Sequence, residues 1–433
     1  MCDLGGSPLT TAPARFPMVD PDLLIVGAGP GGATAAAHAA RLGLRTLVID
    51  QARFPRDKVC GDAVSGKSVD ALRRLGLMDR FAAMEPEGKT LGSWGVTFSG
   101  PFGDEVAIPF TKMLDAPQAP GFLCDRVTFD NELAEEAVRS GATLWQETKA
   151  KGLIFDEAPD GGLRVAGVEA ERGGEPIDIR APLVIGADGP YGVTARDLGM
   201  KQLVEDHYCG GVRAYYEGVT GFHDLNFIEL HFVDEAIPGY FWIFPMGGGR
   251  ANVGLGMLSS EIKKRGVKLK PLLDRLVQHH RFAHRFRDAR RLGPTRGWGL
   301  PLGSKPRPLA GDGWMLVGDA GSLIDPFTGE GIGNAMVSGE KAAAWAEGAH
   351  AAQDFSAGYL KGYEKDVMGY LGGELRLSHA MQRLSSWKWL LNTVIKKAKR
   401  SPELADYIST MFDDEAQRKQ LVSPMFYLRV LTA

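Results

Sequence analysis

The sequence is poor in cysteine, and the cysteines that it has are widely separated. Only four occur among 433 residues, at Cys2, Cys60, Cys124 and Cys209, and none belongs to a CxxC pair. The spacing therefore supports neither a disulfide framework nor a zinc or other metal site. So few isolated cysteines are typical of a reducing, cytoplasmic setting.

Long hydrophobic runs and an excess of one charge are missing as well. No uncharged apolar stretch reaches the length of a membrane-spanning helix, and residues 1–20 contain no apolar run of the kind found in a signal peptide. The formal net charge is only −3, which gives no case for nucleic-acid binding. With 44% hydrophobic and 24% charged residues, the composition predicts a globular protein of two or three lobes.

What the sequence does have is a βαβ pattern near its start. Residues 22–27 predict a short buried strand, and residues 33–42 predict an alanine-rich helix. Gly43 ends that helix, as expected where the backbone needs a positive φ angle, and residues 44–50 predict a second buried strand. Right-handed crossover then makes the two strands parallel.

A glycine-rich turn joins the first strand to the helix. It reads Gly27-Ala28-Gly29-Pro30-Gly31-Gly32 and matches GxGxxG. In such a turn Gly27 permits the tight bend, Gly29 lets the backbone approach a pyrophosphate, and Gly32 lets helix and strand pack closely. The free N–H groups and positive potential of the helix N-terminus favour the same anion. The turn therefore predicts a dinucleotide site.

An acidic residue closes the second strand. Asp50, with Gln51 beside it, lies where a carboxylate can accept hydrogen bonds from ribose hydroxyls. A carboxylate there disfavours a bound 2′-phosphate. The expected cofactor is thus FAD or NAD.

Two later apolar strands favour FAD over NAD as the expected cofactor. Residues 184–189 end in Asp188-Gly189, and residues 315–321 contain Gly318-Asp319. All three motifs in this order resemble the hydroxylase-type flavoprotein superfamily. The resemblance implies that Asp319 binds the ribityl chain of FAD, that Asp188 and Gly189 lie near the pyrophosphate, and that Arg126, at the start of a helix predicted over residues 125–140, also contacts FAD.

A further glycine-rich loop precedes a helix predicted over residues 331–346. Its candidate cofactor contacts are Pro326, Gly329, Gly331 and Ile332. A helix N-terminus at this place can stabilise negative charge on a reduced flavin.

Two more segments resemble the geranylgeranyl reductase family. Residues 54–62 are similar to its FPR-x-K-x-C-G segment, and residues 240–245 are similar to its Y-x-W-x-F-P motif. The resemblance covers residues 20–345 and implies that Cys60, with Gly61, lies near the flavin. Where this family continues towards Ser-Pro-Arg, the chain has Ser65-Gly66-Lys67. The aromatic motif also overlaps with the W-x-W-x-I-P pattern of flavin-dependent halogenases.

The aromatic motif has a direct physical interpretation. Tyr240, Trp242 and Phe244 alternate, so on a strand they share one face. They either line a cavity for an apolar chain or belong to the core of the sheet. Cys60 and Tyr240 are candidate proton donors, and Trp242 completes the set of candidate catalytic residues.

The C-terminal region contains a basic, tryptophan-bearing segment. Residues 381–400 carry no acidic residue, and Trp387 and Trp389 lie among aliphatic side chains. Such a helix either lies in a membrane interface or packs on the body with a solvated basic face. The basic residues are Arg383, Lys388, Lys396, Lys397, Lys399 and Arg400.

Together these features predict an α/β protein with a Rossmann-like FAD-binding domain, an inserted mixed-sheet substrate domain and a helical C-terminal extension. The FAD-binding domain is expected in residues 20–80, 119–200 and 291–346. The substrate domain is expected in residues 81–118 and 201–290, and the helical region in residues 347–433.

By the resemblance, the expected function is FAD-dependent saturation of C=C bonds in the isoprenoid chain of a polyprenyl lipid, such as a quinone, a pigment precursor or a glycerophospholipid. NAD(P)H and ferredoxin both remain as candidate electron donors. The alternatives are a flavin-dependent monooxygenase or halogenase and a non-catalytic, electron-transfer flavoprotein.

Overall fold

The fold is built around a six-stranded sheet with helices on one face and a small antiparallel sheet on the other. The computed structural model describes residues 20–64, 66–110, 118–158, 161–201, 203–402 and 404–405. The strands are β1 (Leu23–Val26), β2 (Thr46–Ile49), β3 (Ala63–Val64), β4 (Thr90–Ser93), β5 (Gly95–Ser99), β6 (Glu105–Pro109), β7 (Gly121–Cys124), β8 (Thr143–Trp145), β9 (Thr148–Glu157), β10 (Leu163–Arg172), β11 (Glu175–Arg180), β12 (Val184–Gly186), β13 (Tyr208–Glu217), β14 (Ile228–His231), β15 (Tyr240–Met246), β16 (Arg250–Leu258), β17 (Arg290–Pro301), β18 (Ala310–Gly311) and β19 (Trp314–Leu316). The helices are α1 (Pro30–Arg41), α2 (Gly66–Leu75), α3 (Met78–Ala82), α4 (Arg126–Arg139), α5 (Val193–Asp197), α6 (Ser259–Arg265), α7 (Leu269–Leu276), α8 (Ile332–Ala352), α9 (Ala357–Ser385) and α10 (Lys388–Ala398).

The six-stranded sheet has the order β18-β19-β12-β1-β2-β8, and only the β18–β19 pair is antiparallel. Strands β1 and β2 are apolar and buried along their whole length, as expected for central parallel strands. The four strands predicted around residues 22–27, 44–50, 184–189 and 315–321 are confirmed as β1, β2, β12 and β19. The predicted helix at residues 33–42 begins earlier, at Pro30, because proline suits the first turn of a helix.

Two layers cover this sheet. One face packs against the alanine-rich α1 together with α4 and α8. Helices α1 and α8 cross closely, since a Cβ atom on Gly339 would lie 2.2 Å from the Gly31 carbonyl oxygen. The other face packs against the antiparallel sheet β11-β10-β9 through side chains such as Val168 and Ile179.

The second large sheet contains seven strands in the order β17-β13-β16-β15-β14-β5-β6. It is mixed, because β5 and β14 are parallel while its other neighbours are antiparallel. Helix α7 covers one of its faces, where Phe241 and Ile243 meet Leu272 and Leu273. The predicted mixed sheet is confirmed. The domain boundaries stay a prediction. Strand β17, which pairs with β13 of the predicted substrate domain, extends across the boundary predicted between residues 290 and 291.

The predicted C-terminal helices are present in the part that the structure describes. Helix α9 packs on α8 and on the edge strand β18, and α10 packs on β6. The part of the predicted helical region that follows residue 405 lies outside the described residues, as does Cys2. Among the helices that are described, none has both the length and the apolarity needed to cross a membrane.

Candidate functional site

The glycine turn between β1 and α1 is shaped by close backbone contacts. Gly27 has a φ angle of +102°, and a Cβ atom there would lie 2.4 Å from the Ala187 carbonyl oxygen. A Cβ atom on Gly32 would lie 1.8 Å from the Gly27 carbonyl oxygen. At Gly29, by contrast, the nearest atom would be Nη2 of Arg56 at 3.8 Å. The turn is therefore closed at both ends and open at Gly29, as approach of a pyrophosphate requires.

The rest of the turn divides between packing and the open surface. A Cβ atom on Gly31 would lie 3.0 Å from the Ala335 carbonyl oxygen, so this glycine serves the contact between α1 and α8. Pro30 begins α1 and faces the cavity described below. No side chain among the described residues caps the N-terminus of α1, which leaves its positive end for an anion.

Asp50 lies directly after β2 and is fixed beside the turn. Its Oδ2 atom accepts the Ala28 N–H at 2.8 Å, and its Oδ1 atom accepts the Ala52 N–H at 2.8 Å. Each oxygen has a second lone pair for a ribose hydroxyl. The predicted ribose acceptor is thus held in place by the backbone, whereas the Gln51 side chain is exposed.

Two arginines share one buried aspartate near Gly29. Arg126, at the start of α4, donates to both oxygens of Asp130 at 2.6 and 2.8 Å, and Arg56 donates to the same carboxylate at 2.7 Å. Burial is the largest single influence on Arg126 and favours its neutral form, but the charge and hydrogen bonds of Asp130, together with the neighbouring Cys60, outweigh burial and raise the pKa of this guanidinium. Two cations against one anion leave positive charge beside the open part of the turn, which fits a pyrophosphate.

Arg56 was not among the predicted cofactor contacts, because a charged side chain in a loop is usually solvated. Its position in the sequence, shortly after Asp50, was the available signal.

The Asp188 side chain, predicted to lie near the pyrophosphate, makes its hydrogen bonds to Thr194. The carboxylate accepts the backbone N–H of Thr194 at 3.0 Å and the Thr194 hydroxyl at 2.5 Å, and so fixes the turn before α5. Burial raises the pKa of Asp188. The backbone of Asp188 faces the glycine turn, since a Cβ atom on Gly27 would lie 3.1 Å from the Asp188 Cα atom. Gly189, at φ +76°, has no described atom within 4 Å of an added Cβ.

The predicted ribityl contact Asp319 lies in the short turn after β19 and faces the cavity. Its Oδ2 atom is 3.2 Å from Nζ of Lys58, and the Asp319 side chain is only 11% exposed. Lys58 therefore neutralises a buried acid instead of being solvated. Gly318 allows this turn, because it has φ +56° and a Cβ atom there would lie 2.8 Å from that of Ala335.

The glycine-rich loop before α8 is held by its own aspartate. Oδ1 of Asp325 accepts the N–H groups of Phe327 and Thr328 at 2.9 and 2.8 Å. The hydroxyl of Tyr240 donates to the Thr328 carbonyl and so joins β15 to this loop. All four predicted contacts of the loop line the cavity, namely Pro326, Gly329, Gly331 and Ile332.

The aromatic residues of β15 share one face, as their alternation predicted. The ring centroids of Tyr240 and Trp242 are 6.1 Å apart, and those of Trp242 and Phe244 are also 6.1 Å apart. A Cβ atom on Gly61 would lie 3.1 Å from the Phe244 ring. These three rings, with Cys60 and Gly61, line the cavity. They also pack on the neighbouring apolar cluster, so the three rings belong both to the cavity wall and to the core of the sheet.

The residues predicted to bind the cofactor, from the glycine turn to the loop before α8, together form what we call the cofactor cradle. One cavity of about 210 Å³ connects this cradle to the aromatic face of β15. It extends from Pro30 and Asp319 to the seven-stranded sheet, and α9 closes it where Gln382 donates to the Pro326 carbonyl at 2.7 Å. The walls beyond the rings are largely aliphatic: Ile228, Leu230, Leu300, Leu302 and Ile324. Such a chamber suits an apolar chain.

One base and one acid that follow Cys60 in the sequence, Lys67 and Asp62, are both buried. Lys67, where the family pattern has arginine, is 2% exposed and binds Asn334 at 2.6 Å and Glu374 at 2.8 Å. It joins α2 to α8 and α9 and is not part of the cavity wall. Asp62 was missed, although it follows Cys60-Gly61 directly. It lines the cavity with a fully buried side chain.

Sequence comparison places the chain among FAD-dependent reductases. Residues 20–296 match the FAD binding domain family. A digeranylgeranylglycerophospholipid reductase of Thermoplasma acidophilum is 32% identical over 346 residues, which cover 79% of this chain and 82% of the relative. A menaquinone reductase of Mycobacterium tuberculosis is 34% identical over 333 residues, which cover 74% and 75%.

Solved structures show the same architecture. A geranylgeranyl bacteriochlorophyll reductase-like protein of Thermoplasma acidophilum superposes with a TM-score of 0.77 at 28% identity, covering 93% of this chain and 98% of that protein. The flavin-dependent brominase Bmp2 superposes with a TM-score of 0.72 at 22% identity, covering 95% and 100%. The second likeness concerns the fold alone.

Proposed function

We propose that this chain, which belongs to the geranylgeranyl reductase family of FAD-dependent oxidoreductases, saturates C=C bonds in the isoprenoid chain of a polyprenyl lipid. One observation carries the proposal: a single cavity joins the cofactor cradle at Pro30 and Asp319 to an apolar chamber lined by Tyr240 and Trp242. An electron-transfer flavoprotein has no need of such a chamber. A lipid chain that entered it would meet the end of the cradle.

Different residues of the cradle suit different parts of FAD. The turn from Gly27 to Gly32 and Asp50 would hold the adenosine, and Arg126 and Arg56 would lie beside the pyrophosphate. The loop before α8 places a helix N-terminus where negative charge is stabilised. Reduced FAD supplies a hydride when it is bound.

The predicted catalytic residues then have distinct tasks. Trp242 and Tyr240 form the wall against which an isoprenoid unit packs. Burial raises the pKa of Tyr240, so its hydroxyl stays neutral, and its hydrogen bond to the Thr328 carbonyl makes it a positioning group. Cys60 lies on the same wall. The aliphatic side chains around them exclude water from the reacting double bond.

We further propose that the lipid reaches the protein from a membrane surface at residues 381–400. Ile395 and Ala398 of α10 are buried against the body, while Trp387 and Trp389 are 59% and 63% exposed. Phe102, which is 65% exposed, lies beside α10, where its backbone N–H donates to the Asn392 side chain.

Basic side chains flank this exposed apolar group, although Lys388 is paired with Asp234. An anionic bilayer complements both features, and Gln382, in the same segment, reaches the cavity.

The test is anaerobic turnover of the purified, dithionite-reduced holoenzyme with geranylgeranyl lipids and menaquinone, followed by mass spectrometry. Products that gain pairs of hydrogens are expected, and the oxidised holoenzyme is the control. Replacing dithionite by NADH, NADPH or reduced ferredoxin identifies the electron donor. Absence of hydrogenation, together with oxygen uptake and an oxygenated or halogenated product in air, would overturn the proposal.

A further inference from the structure

A buried carboxyl group sits in the cavity wall with half of its hydrogen-bonding capacity unused. Asp62 has no accessible surface, although it lines the cavity. Its Oδ2 atom accepts from the Tyr215 hydroxyl at 2.6 Å and from the Asn252 amide at 2.8 Å. Its Oδ1 atom is buried and has no hydrogen-bond partner within the described residues.

This arrangement fits a protonated acid. A carbonyl oxygen accepts two hydrogen bonds, as Oδ2 does, while the hydroxyl of a neutral acid can occupy Oδ1. An ionised carboxylate would leave an oxygen with negative charge buried and without a donor, which is costly. Burial raises the pKa of Asp62 to about 7, against the opposing hydrogen bonds of Tyr215 and Asn252. The geometry and the pKa therefore agree.

The same group is tied to two predicted catalytic residues. The Asn252 amide that binds Asp62 also donates to the Cys60 carbonyl at 2.8 Å, and its oxygen accepts from the Trp242 indole at 2.9 Å. Asp62 is thus linked through Asn252 to the cavity wall that carries Cys60 and Trp242.

We propose that Asp62 holds the proton that completes saturation of the double bond, with Tyr215 and Asn252 keeping it in place. This inference rests on the proposed function. The O–H bond of Asp62 breaks as a C–H bond forms on one alkene carbon, while the hydride and its two electrons, supplied by reduced FAD, form the other C–H bond. The Asp62 carboxylate then accepts a proton from solvent.

The charges around Asp62 suit both states of this cycle. Hydrogen bonds from Tyr215 on β13 and Asn252 on β16 stabilise the carboxylate that remains after proton transfer, as do the positive charges of Arg213 and Arg126. Arg213 is itself paired with Asp57 at 2.7 Å, and Arg126 with Asp130 at 2.6 Å. Cys124, on the neighbouring strand β7, is kept neutral because burial raises its pKa.

The experiment uses the holoenzyme and its Asp62→Asn and Tyr215→Phe variants, with Asp156→Asn, a change in an exposed ion pair, as the control. Infrared difference spectra, which need no turnover, should show a protonated carboxyl band that disappears as the pH rises through about 7. The band should be absent in Asp62→Asn. Its midpoint should rise in Tyr215→Phe, because that variant loses a hydrogen bond to the carboxylate.

Single turnovers of the reduced holoenzyme with a geranylgeranyl lipid supply the second measurement. The rate should fall with rising pH through the same midpoint, and Asp62→Asn should be slower by about 100-fold, as expected for loss of a general acid. A wild-type pH profile in Tyr215→Phe together with an unchanged rate in Asp62→Asn would overturn the inference. If the wild-type protein reduces no lipid at all, the proposed function fails, whereas the infrared band still reports on the proton of Asp62.

Discussion

The hydroxyl of Tyr240 donates a hydrogen bond to the carbonyl oxygen of Thr328. Tyr240 begins strand β15 of the seven-stranded sheet, and Thr328 belongs to the loop before α8. The two residues are far apart in sequence, yet this bond joins the aromatic wall of the cavity to the loop expected at the flavin. The bond therefore ties the aromatic wall to the loop before α8.

Replacing Tyr240 with phenylalanine should remove this link while keeping the ring. Loss of the hydrogen bond should cost about 1 kcal/mol of unfolding free energy. Lipid turnover should fall more than this cost alone explains, because the loop loses its anchor. Chemical denaturation and single-turnover rates measure the two effects. Tyr363→Phe is the matched control, since this buried tyrosine donates to the Leu316 carbonyl away from the cavity. An equal loss of rate in both variants would contradict the positioning role.

The glycine turn offers a pair of variants that separate folding from cofactor binding. A methyl group at Gly32 meets the Gly27 carbonyl oxygen at 1.8 Å, so Gly32→Ala should destabilise even the cofactor-free protein, by about 1–3 kcal/mol or more. Gly29→Ala has room for the methyl group in the folded chain, so its unfolding midpoint should be unchanged. It should nevertheless bind FAD more weakly, because the methyl group occupies the approach of the pyrophosphate. Thermal unfolding and flavin fluorescence titration measure both, and wild-type FAD affinity in Gly29→Ala would refute the assignment.

Breaking a buried ion pair outside the cavity should strongly destabilise the seven-stranded sheet. Both oxygens of Glu229 accept from Arg285, and one of them also bonds His231 at 3.0 Å. Glu229→Gln leaves the Arg285 charge buried without its partner and should cost about 3–5 kcal/mol in urea unfolding. Glu217→Gln breaks an exposed pair with Arg290 and should cost at most about 1 kcal/mol. Similar costs for the two variants would show that burial is not decisive.

The same pair predicts a pH dependence of stability. Burial alone would raise the pKa of Glu229, but hydrogen bonds from His231 and Arg285 outweigh it and lower this pKa below the ordinary value of 4.5. The stabilisation is therefore present above that ordinary pKa and is lost as the pH falls through the lower, folded-state pKa. The difference in unfolding free energy between wild type and Glu229→Gln should shrink over this acidic range. A difference that is constant with pH would contradict the assignment.

Membrane contact through residues 381–400 predicts binding to anionic vesicles. Replacing Trp387 and Trp389 with serine should weaken co-sedimentation with phosphatidylserine-containing vesicles, and added salt should weaken it further. The change should leave turnover of a detergent-dispersed lipid intact, because neither side chain lines the cavity. Leu163→Ser removes a side chain that is 70% exposed on β10 and serves as the control. Equal binding by all three proteins would refute the contact.

The sequence alone specified the architecture and the shape of the glycine turn. Gly27, Gly32 and Asp50 act within one local βαβ unit, where spacing along the chain fixes spacing in the structure. The common face of Tyr240 and Trp242 follows from the two-residue repeat of a strand, for the same local reason.

Only the tertiary structure decided what each charged side chain near the cavity does. Lys58 pairs with Asp319, which is 261 residues away, and the Asp188 carboxylate accepts a hydrogen bond from the Thr194 backbone. Asp62 gained its role from Tyr215 and Asn252 on distant strands. A polar side chain removed from water must find a partner wherever the fold supplies one, and which strands and helices meet is determined by packing that no local pattern specifies. The sequence thus determined the cofactor and the class of reaction chemistry, whereas the tertiary structure decided where charge and the proton are held.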